Sequence, residues 1–195
     1  MAARKAQLSV EDWLLAGFRA LVQRGPNAIG AEMLAREMGT TKGSFYWHFA
    51  DVADFRDQLL AFWQLRAFTD IVSRIEAEPD PWARLKALCG LAVSFCDPVY
   101  GGAALEPAIR AWACGDAAVD AAVSTMDARR LNYLDQLCKD CGLADPNLSR
   151  IIYAAVVGLE VMDKGDSPKS VATMMALMDL LEAGYTKGRA SRDLI

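Results

Sequence analysis

Apolar residues recur along much of the chain at intervals of three and four residues, which is the spacing of amphipathic α-helices. The first such pattern runs from Val10 to Val22. Ser9 precedes it and can cap its first turn, and Gly25-Pro26 ends it. No alternation of apolar and polar residues, the pattern of a half-buried β-strand, extends beyond four residues. The sequence therefore predicts an all-α protein.

Two short helices are predicted next, joined by a turn that contains a glycine. The first covers Ala31 to Met38, and Gly39 makes the turn. Thr40 or Thr41 then caps a third helix, which is expected to run to about His48. Two short helices joined in this way form a helix-turn-helix, although an ordinary pair of packed helices gives the same spacing.

The remaining helices are placed by their capping residues. A long helix is predicted to start after Asp51 and to reach Glu78, where Pro79-Asp80-Pro81 ends it. A short helix is predicted from Leu105 to Trp112. Four further helices are predicted after Asp80, Asp116, Asp145 and Ser167, three of which are followed directly by proline.

Charge is distributed unevenly between two parts of the chain. We predict a first domain at residues 1–50 and a second at residues 51–195, linked by the helix that starts at residue 51. The net charge is −4 at pH 7. Up to Phe49, six basic and four acidic residues give +2, whereas 15 basic and 21 acidic residues after it give −6. A basic N-terminal part followed by an acidic remainder favours contact between the N-terminal part and a polyanion such as DNA.

The composition, 53% apolar and 24% charged, is typical of a globular protein. The first ten residues lack the apolar segment of a signal peptide. Apolar runs such as Ile151 to Leu159 are shorter than the roughly 20 residues that span a membrane. We therefore expect a cytoplasmic protein without a membrane partner.

The stretch from Gly39 to Phe49 is dense in side chains that can touch nucleic acid. Phe45 and Phe49 lie four residues apart and share one helix face, which can anchor the helix in a core. The opposite face then presents hydroxyls, a cation and flat rings with polar atoms to a partner. In a helix-turn-helix the second helix enters the major groove, so this stretch is predicted to be a DNA recognition helix. The residues expected to bind DNA are Thr40, Thr41, Lys42, Gly43, Ser44, Tyr46, Trp47 and His48.

These N-terminal residues resemble the tetracycline-repressor (TetR) family of bacterial transcription regulators. The resemblance rests on Leu34-Ala35 and on the run from Met38 to Phe49, MGTTKGSFYWHF, and it is long and ordered. The second domain is similar in layout, and its stretch Glu106 to Ala113 is of a kind seen in some members. The resemblance implies a homodimer that binds a pseudo-palindromic operator, pairs through its last two helices and releases DNA when a small-molecule effector binds.

The resemblance also assigns roles to individual residues. It implies base-edge contacts from Thr40, Thr41, Lys42, Ser44 and Trp47, and phosphate contacts from Tyr46 and His48. The chain departs from the family pattern at Val52, where a lysine is common, and at Gly30, where a capping threonine or serine is common. The first departure removes a phosphate-binding cation, so the grip on the DNA backbone is expected to depend more on Arg4, Lys5 and helix N-termini.

Two further sets of residues are candidates in the second domain. Aromatic residues that could line an effector cavity, or else simply belong to the core, are Phe62, Trp63, Phe95, Tyr100, Trp112 and Tyr133. Residues in broad apolar stripes on the last two helices, expected to be buried against a second copy of the chain, are Val156, Leu159, Val171, Met175 and Met178.

Little in the sequence suggests catalysis. His48 is the single histidine, which disfavours Ser/His/Asp triads and histidine-based metal sites, and no glycine-rich phosphate loop is present. We predict that the chain is not an enzyme and needs no cofactor or metal. Cys138 and Cys141 have the C-x-x-C spacing of zinc and dithiol chemistry, so a redox-sensing regulator is the alternative to a ligand-responsive repressor.

Overall fold

The computed structural model describes residues 8–94, 99, 101–163 and 167–192, and every regular element within them is helical. The all-α class predicted from the sequence is confirmed. In chain order the helices are α1 Val10–Arg24, α2 Ala31–Glu37, α3 Lys42–Tyr46, α4 Val52–Gln64, α5 Asp70–Ile75, α6 Pro81–Ser94, α7 Leu105–Ala113, α8 Ala117–Asp140, α9 Leu148–Asp163 and α10 Ser167–Arg192. A π-helical segment, Leu65–Thr69, joins α4 to α5, and 3₁₀ turns lie at Pro26–Ala28 and Gly102–Ala104.

The first helix begins and ends where its sequence predicts. The Ser9 hydroxyl accepts a hydrogen bond from the Asp12 backbone N–H, and the Asp12 carboxylate accepts one from the Ser9 backbone N–H. This reciprocal pair satisfies two donors that would otherwise lack partners at the helix start. At the other end Gly25 has a φ of 78°, a left-handed conformation that few other residues adopt readily.

A first hydrophobic core joins α1 to α4 with α7 and the beginning of α8. Trp13, Phe18 and Phe55 are at most 1% exposed within it. Gly17 allows α1 and α4 to approach closely, because a Cβ there would lie 2.8 Å from the Phe55 ring. Ile109 and other residues of α7 pack into the same core, so the N-terminal helices rest directly on helices that follow residue 51.

A second hydrophobic core is formed by α5, α6, the second half of α8, and helices α9 and α10. Leu85, Ile152 and Met174 are completely buried there. Helix α10 packs against both α6 and α9. Lys86 on α6 reinforces this packing by donating to Asp179 and Glu182 on α10, at 2.8 and 2.7 Å. Among the described residues, no helix has both the length and the apolar character that crossing a bilayer requires.

Three predicted helix boundaries were wrong. The linking helix is not continuous to Glu78, because the π segment interrupts it and the Ala67 carbonyl within that segment accepts from Arg130 Nη2 at 3.3 Å. Helix α3 ends at Tyr46 and is followed by a turn. Helix α9 starts at Leu148, because the Asp145 side chain accepts from the Asn147 backbone N–H and holds a turn before the helix.

Candidate nucleic-acid interface and ligand cavity

Helix α3 is held on the protein by its aromatic side. Phe45 and Phe49 are 0% and 1% exposed, with ring centroids 4.9 Å apart. The Phe45 ring also lies 5.4 Å from Trp13 on α1, edge to face, and 5.2 Å from Phe55 on α4. A helix of five residues is too short to be stable alone, so this packing fixes its position.

The turn between α2 and α3 sets the angle of α3. Gly39 has a φ of 61°, and the Thr40 backbone N–H donates to the Ala35 carbonyl at 2.9 Å, which closes the end of α2. The Thr41 hydroxyl then accepts from the Ser44 backbone N–H at 3.3 Å. Thr41 is therefore the N-cap, one of the two capping residues predicted from the sequence.

All eight residues predicted to bind DNA reach the solvent on this part of the surface. Trp47 is 79% exposed and Tyr46 is 46% exposed. Burial of an indole ring is strongly favourable, so a highly exposed tryptophan is typical of a surface that binds a partner. Exposed residues of the set also include Thr41, Lys42 and Gly43, while Thr40, Ser44 and His48 are half-buried.

The surroundings of α3 explain the departure at Val52. The Val52 side chain is partly buried against the first core. Asp51 caps α4 by accepting from the Asp54 backbone N–H, and Asp54 accepts from the Ala50 backbone N–H, each at 2.8 Å. The start of α4 therefore presents carboxylates and no cation. Arg4 and Lys5, which were expected to compensate, lie outside the described residues.

A cavity of about 90 Å³ opens within the second core, far along the chain from α3. The π segment, α5, α6, α7, α8 and α9 all contribute to its walls. The volume is sufficient for several water molecules or part of a small organic molecule. Its lining is mostly apolar and consists of Ala67, Phe68, Ile71, Val72, Leu88, Cys89, Ala92, Glu106, Arg130, Tyr133, Leu134, Ile152, Tyr153, Val156 and Glu160.

A buried ion pair forms one polar wall of this cavity. Arg130 Nη2 donates to Glu106 Oε1 at 2.6 Å and Arg130 Nη1 donates to Glu106 Oε2 at 3.2 Å. Trp63 Nε1 on α4 donates to the same carboxylate at 2.9 Å. Burial alone would raise the pKa of Glu106, but Arg130 and the hydrogen bonds outweigh it and hold the pKa below its usual value. Glu106 is therefore ionised and joins α4, α7 and α8.

A second charged pair lies next to this polar wall and is joined to it through Tyr153. Arg110 donates to both oxygens of Asp127, at 2.7 and 3.0 Å. The Tyr153 hydroxyl donates to Asp127 at 2.6 Å and accepts from Arg110 at 2.9 Å and from Arg130 at 3.3 Å. Burial is the main reason that the pKa of Tyr153 rises to about 12. Each charged group of the two pairs thus has a partner of opposite charge.

Glu160 differs from the other polar groups in the cavity. Its carboxyl lines the cavity, and no hydrogen bond to it comes from the part of the chain that the structure describes. Burial first, and then the neighbouring carboxylate of Glu106, raise the pKa of Glu160 to about 8. Glu160 is therefore largely protonated near pH 7.

The aromatic residues proposed for the cavity are mostly placed elsewhere. Tyr133 lines it. Phe62, Trp63 and Trp112 belong instead to the first core, where the Phe62 ring stacks on Phe18 and Trp112 lies under the Arg56 guanidinium. Their helical spacing is compatible with either a core or a cavity lining, and the structure places them in the core. Phe95 and Tyr100 fall outside the described residues.

The residues proposed for a dimer interface are largely buried within their own chain. Val156, Leu159 and Met178 are 7%, 8% and 0% exposed and pack in the second core. Val171 and Met175 are partly buried against the same core. The stripes on α9 and α10 are therefore broad because they cover the chain's own core, and these five residues are not the exposed ones. The large apolar residues that α9 and α10 do expose are Ile151, Val161, Met162 and Leu180.

The polar cavity residues were missed by sequence reasoning. The sequence does mark Glu160 as unusual, because it is the single charged residue in the apolar stretch from Ile151 to Met162. Nothing in the sequence marks Glu106 and Arg130, because glutamate and arginine are common on helix surfaces and the two residues are 24 apart in sequence. No group of side chains suited to a metal ion occurs among the described residues.

Comparisons with known proteins agree with this geometry. Residues 14–57 match the family model of the bacterial regulatory proteins of the tetR family, so the resemblance predicted from the sequence is confirmed. No curated protein matched the chain.

Solved structures share the fold over most of their length. A transcriptional regulator from Rhodococcus sp. Rha1 has a TM-score of 0.72 and 17% sequence identity, over 91% of this chain and 97% of that one. A Rhodococcus protein classed as a TetR-family transcriptional regulator has a TM-score of 0.70 and 19% identity, over 88% and 96%. The fatty acid degradation regulator FadR from Bacillus halodurans has a TM-score of 0.68 and 19% identity, over 92% and 98%. At these identities the likeness is one of fold.

Proposed function

We propose that this chain, which carries the DNA-binding domain of the tetR family of bacterial regulatory proteins at residues 14–57, is a ligand-responsive transcriptional repressor that binds its operator as a homodimer. The observation that carries the proposal is the solvent-facing side of α3. Its back is anchored by Phe45 and Phe49, and its front offers a 79% exposed Trp47 beside Lys42. Such a helix is built to present side chains to a groove.

The recognition helix would contact DNA through the eight residues predicted from the sequence. Lys42 and Ser44 lie in the first turn of α3, which is the part of a recognition helix that meets base edges. Tyr46 and His48, at and beyond its end, are suited to phosphates on the flanking backbone. Because the start of α4 offers no cation, affinity is expected to depend on the fit of α3 to the groove and on two copies binding together.

A homodimer is supported by exposed apolar stripes on α9 and α10. Met162 is 74% exposed and Leu180 is 73% exposed in the single chain. Both stripes recur at the intervals of one helix face, with small residues such as Gly158 and Ala176 that allow helices to approach closely. Two copies meeting there would form a four-helix bundle and bury these side chains. The exposed members of the stripes are Ile151, Ala154, Val161 and Met162 on α9, and Thr173, Ala176, Leu180, Ala183 and Gly184 on α10. Ala155, Gly158 and Leu177 lie on the same faces and are half-buried.

Response to an effector is supported by the position of the cavity. Its wall includes Ala67 and Phe68 of the π segment, which continues directly from α4. Glu106 in the same wall accepts from Trp63 on α4. A ligand that fits the cavity better in one position of the π segment than in another would favour that position. Because the π segment continues from α4, α4 would move with it, together with α1 and α3, which pack against α4. By linkage, a ligand that prefers the non-operator arrangement weakens DNA binding.

The redox alternative has less support. Cys138 and Cys141 are 2% and 4% exposed. Burial raises the pKa of Cys138 to about 11 and that of Cys141 to about 12, so neither is a reactive thiolate at pH 7. Loss of DNA binding on mild oxidation, reversed by a thiol reductant and absent from a Cys138→Ser variant, would favour this alternative.

Binding of duplex DNA by matched variants tests the proposed function. The wild-type protein is used to enrich duplexes from a random library, and each variant is then titrated with the enriched duplex. Lys42→Ala and Trp47→Ala are each expected to weaken binding by about tenfold or more, since one base-edge or packing contact contributes about 1–3 kcal/mol. Lys139→Ala is the control, because it removes an exposed cation from α8. Equal binding by all four proteins would contradict the assignment of α3.

A further inference from the structure

The polar groups around the cavity divide into two kinds. Glu106 and Arg130 pair with each other, and Asp127 pairs with Arg110 while accepting from Tyr153. Each of these charged groups has a partner of opposite charge, although the Nε of Arg110 is left without a hydrogen bond among the described residues. The carboxyl of Glu160 has no such partner among the described residues, although it lies at the cavity wall. Glu160 is half-buried and its side chain faces the cavity, so its carboxyl is available to an occupant.

Ionisation of Glu160 would leave one negative charge unbalanced among the charged groups around it. The charged neighbours are Arg110 and Glu106 on α7 and Arg130 and Asp127 on α8. Two guanidinium groups and two carboxylates cancel, so ionisation of Glu160 gives the wall a net charge of −1. The remaining titratable groups facing the cavity, Cys89 on α6, Tyr133 on α8 and Tyr153 on α9, are neutral at pH 7 because the pKa of each is raised. A single positive charge on the occupant would restore neutrality.

We infer that the cavity binds a compact, mostly apolar organic cation, such as a primary amine, whose ammonium group donates to the carboxylate of Glu160. This inference rests on the ligand-responsive function proposed above and names the class of its effector. The rest of the lining suits the apolar part of such a molecule. Phe68 and Tyr133 stand edge to face, 5.8 Å apart, and aromatic surface favours hydrocarbon. The guanidinium of Arg129 already lies over the Phe68 ring, 3.9 Å from its centroid.

Binding of an amine is expected to release a proton from Glu160. Burial and the carboxylate of Glu106 raise the pKa of Glu160 to about 8, so the carboxyl is protonated before binding at pH 7. An ammonium ion stabilises the ionised form, so Glu160 releases a proton when the amine binds. Affinity is therefore expected to rise about tenfold per pH unit between about pH 6 and 7.5, and to level off above about pH 8. A neutral acceptor would require the protonated carboxyl and give the opposite trend above pH 8.

A matched set of probes tests the charge requirement. Phenylbutylamine, phenylbutanol and phenylbutanoate share one carbon skeleton and differ in the charge of the end group. Isothermal titration calorimetry of the full-length protein, without DNA, is expected to give the amine a Kd at least about tenfold lower than that of either analogue. Titration in buffers of different ionisation enthalpy is expected to show release of one proton per amine bound below pH 8.

Two variants locate the interaction. Glu160→Gln retains the size and the neutrality of the protonated acid, so it is expected to fold normally but to lose amine binding by at least about tenfold, together with proton release. Glu11→Gln removes an exposed carboxylate from α1 and is expected to bind the amine as the wild type does. Undiminished amine binding by Glu160→Gln, tighter binding of the alcohol or the acid, or no binding of the amine by the wild type would each overturn the inference.

Failure of this inference and failure of the proposed function give different results. The enrichment of duplex DNA is measured on protein without any probe. Sequence-selective DNA binding by a protein that binds no amine would leave the repressor proposal standing and overturn the effector class alone. Amine binding that depends on Glu160, in a protein that does not select any duplex, would support the cavity chemistry and overturn the DNA-binding function.

Discussion

Removal of Arg130 should loosen the link between the cavity and the linking helix. The Arg130 guanidinium donates to both oxygens of Glu106, to the Ala67 carbonyl in the π segment and to the Tyr153 hydroxyl. Arg130→Met keeps much of the side-chain volume but deletes all of these donors. Glu106 would then keep the Trp63 N–H as its remaining close donor.

The cost can be judged from burial. The Glu106 and Arg130 side chains are 16% and 17% exposed, so solvent screens their interaction little. Breaking a buried pair by removing one partner costs about 3–5 kcal/mol, because the other charge is left buried. Since the pKa of Glu106 is lowered in the wild type, the pair stabilises the protein above the unfolded pKa and this stability is lost as the pH falls. The deficit of Arg130→Met should therefore be greatest near neutral pH and smaller near pH 4.

Chemical unfolding of the variants at fixed protein concentration measures this effect. Arg130→Met should lose about 3–5 kcal/mol at pH 7, and adding Glu106→Gln should restore part of the loss, since no uncompensated charge then remains. Lys139→Met is the control on the same helix. It breaks an exposed pair with Asp135 and should leave the free energy of unfolding unchanged within error. A deficit of less than about 1 kcal/mol for Arg130→Met, independent of pH, would refute the reasoning.

Three other outcomes are expected. Leu180→Glu should yield folded monomers with weak DNA binding, because it places a charge in the exposed stripe of α10; unchanged sedimentation would place the interface elsewhere. Glu160→Gln should be more stable than the wild type at pH 9 and similar at pH 5, since the raised pKa of Glu160 makes stability fall as the pH rises towards about 8; parallel pH profiles would contradict this. If about eight phosphates are neutralised per dimer, log affinity for DNA should fall with log salt at a slope of about −7; a slope near zero would contradict an electrostatic grip on the backbone.

Helix α3 was the part of the candidate site whose position the sequence predicted best. Its determinants are local: a capping threonine at residue 41, a turn glycine at residue 39, and Phe45 and Phe49 at helical spacing. Local signals of this kind act within one or two helical turns, so they can be read without knowing the rest of the fold. Which bases or phosphates each side chain meets stays a prediction.

The second domain could be predicted only as a set of helices. The direction that an apolar stripe faces depends on which helix packs against it, and periodicity does not contain that information. Met178 was therefore assigned to a partner chain although it packs in its own core, while Leu180, two residues later, is exposed. The cavity is likewise produced by residues distant in sequence, such as Ala67, Glu106 and Glu160.

The central claim is that two copies of α3 read one DNA site together. Hydroxyl-radical footprinting of a duplex enriched by the wild-type protein, with the stoichiometry of the complex measured by sedimentation, tests this claim most directly. We predict two chains per duplex and two protected half-sites whose centres lie about 10–10.5 base pairs apart, or a multiple of that distance. A single half-site protected by one chain, or the absence of any enriched duplex, would contradict it.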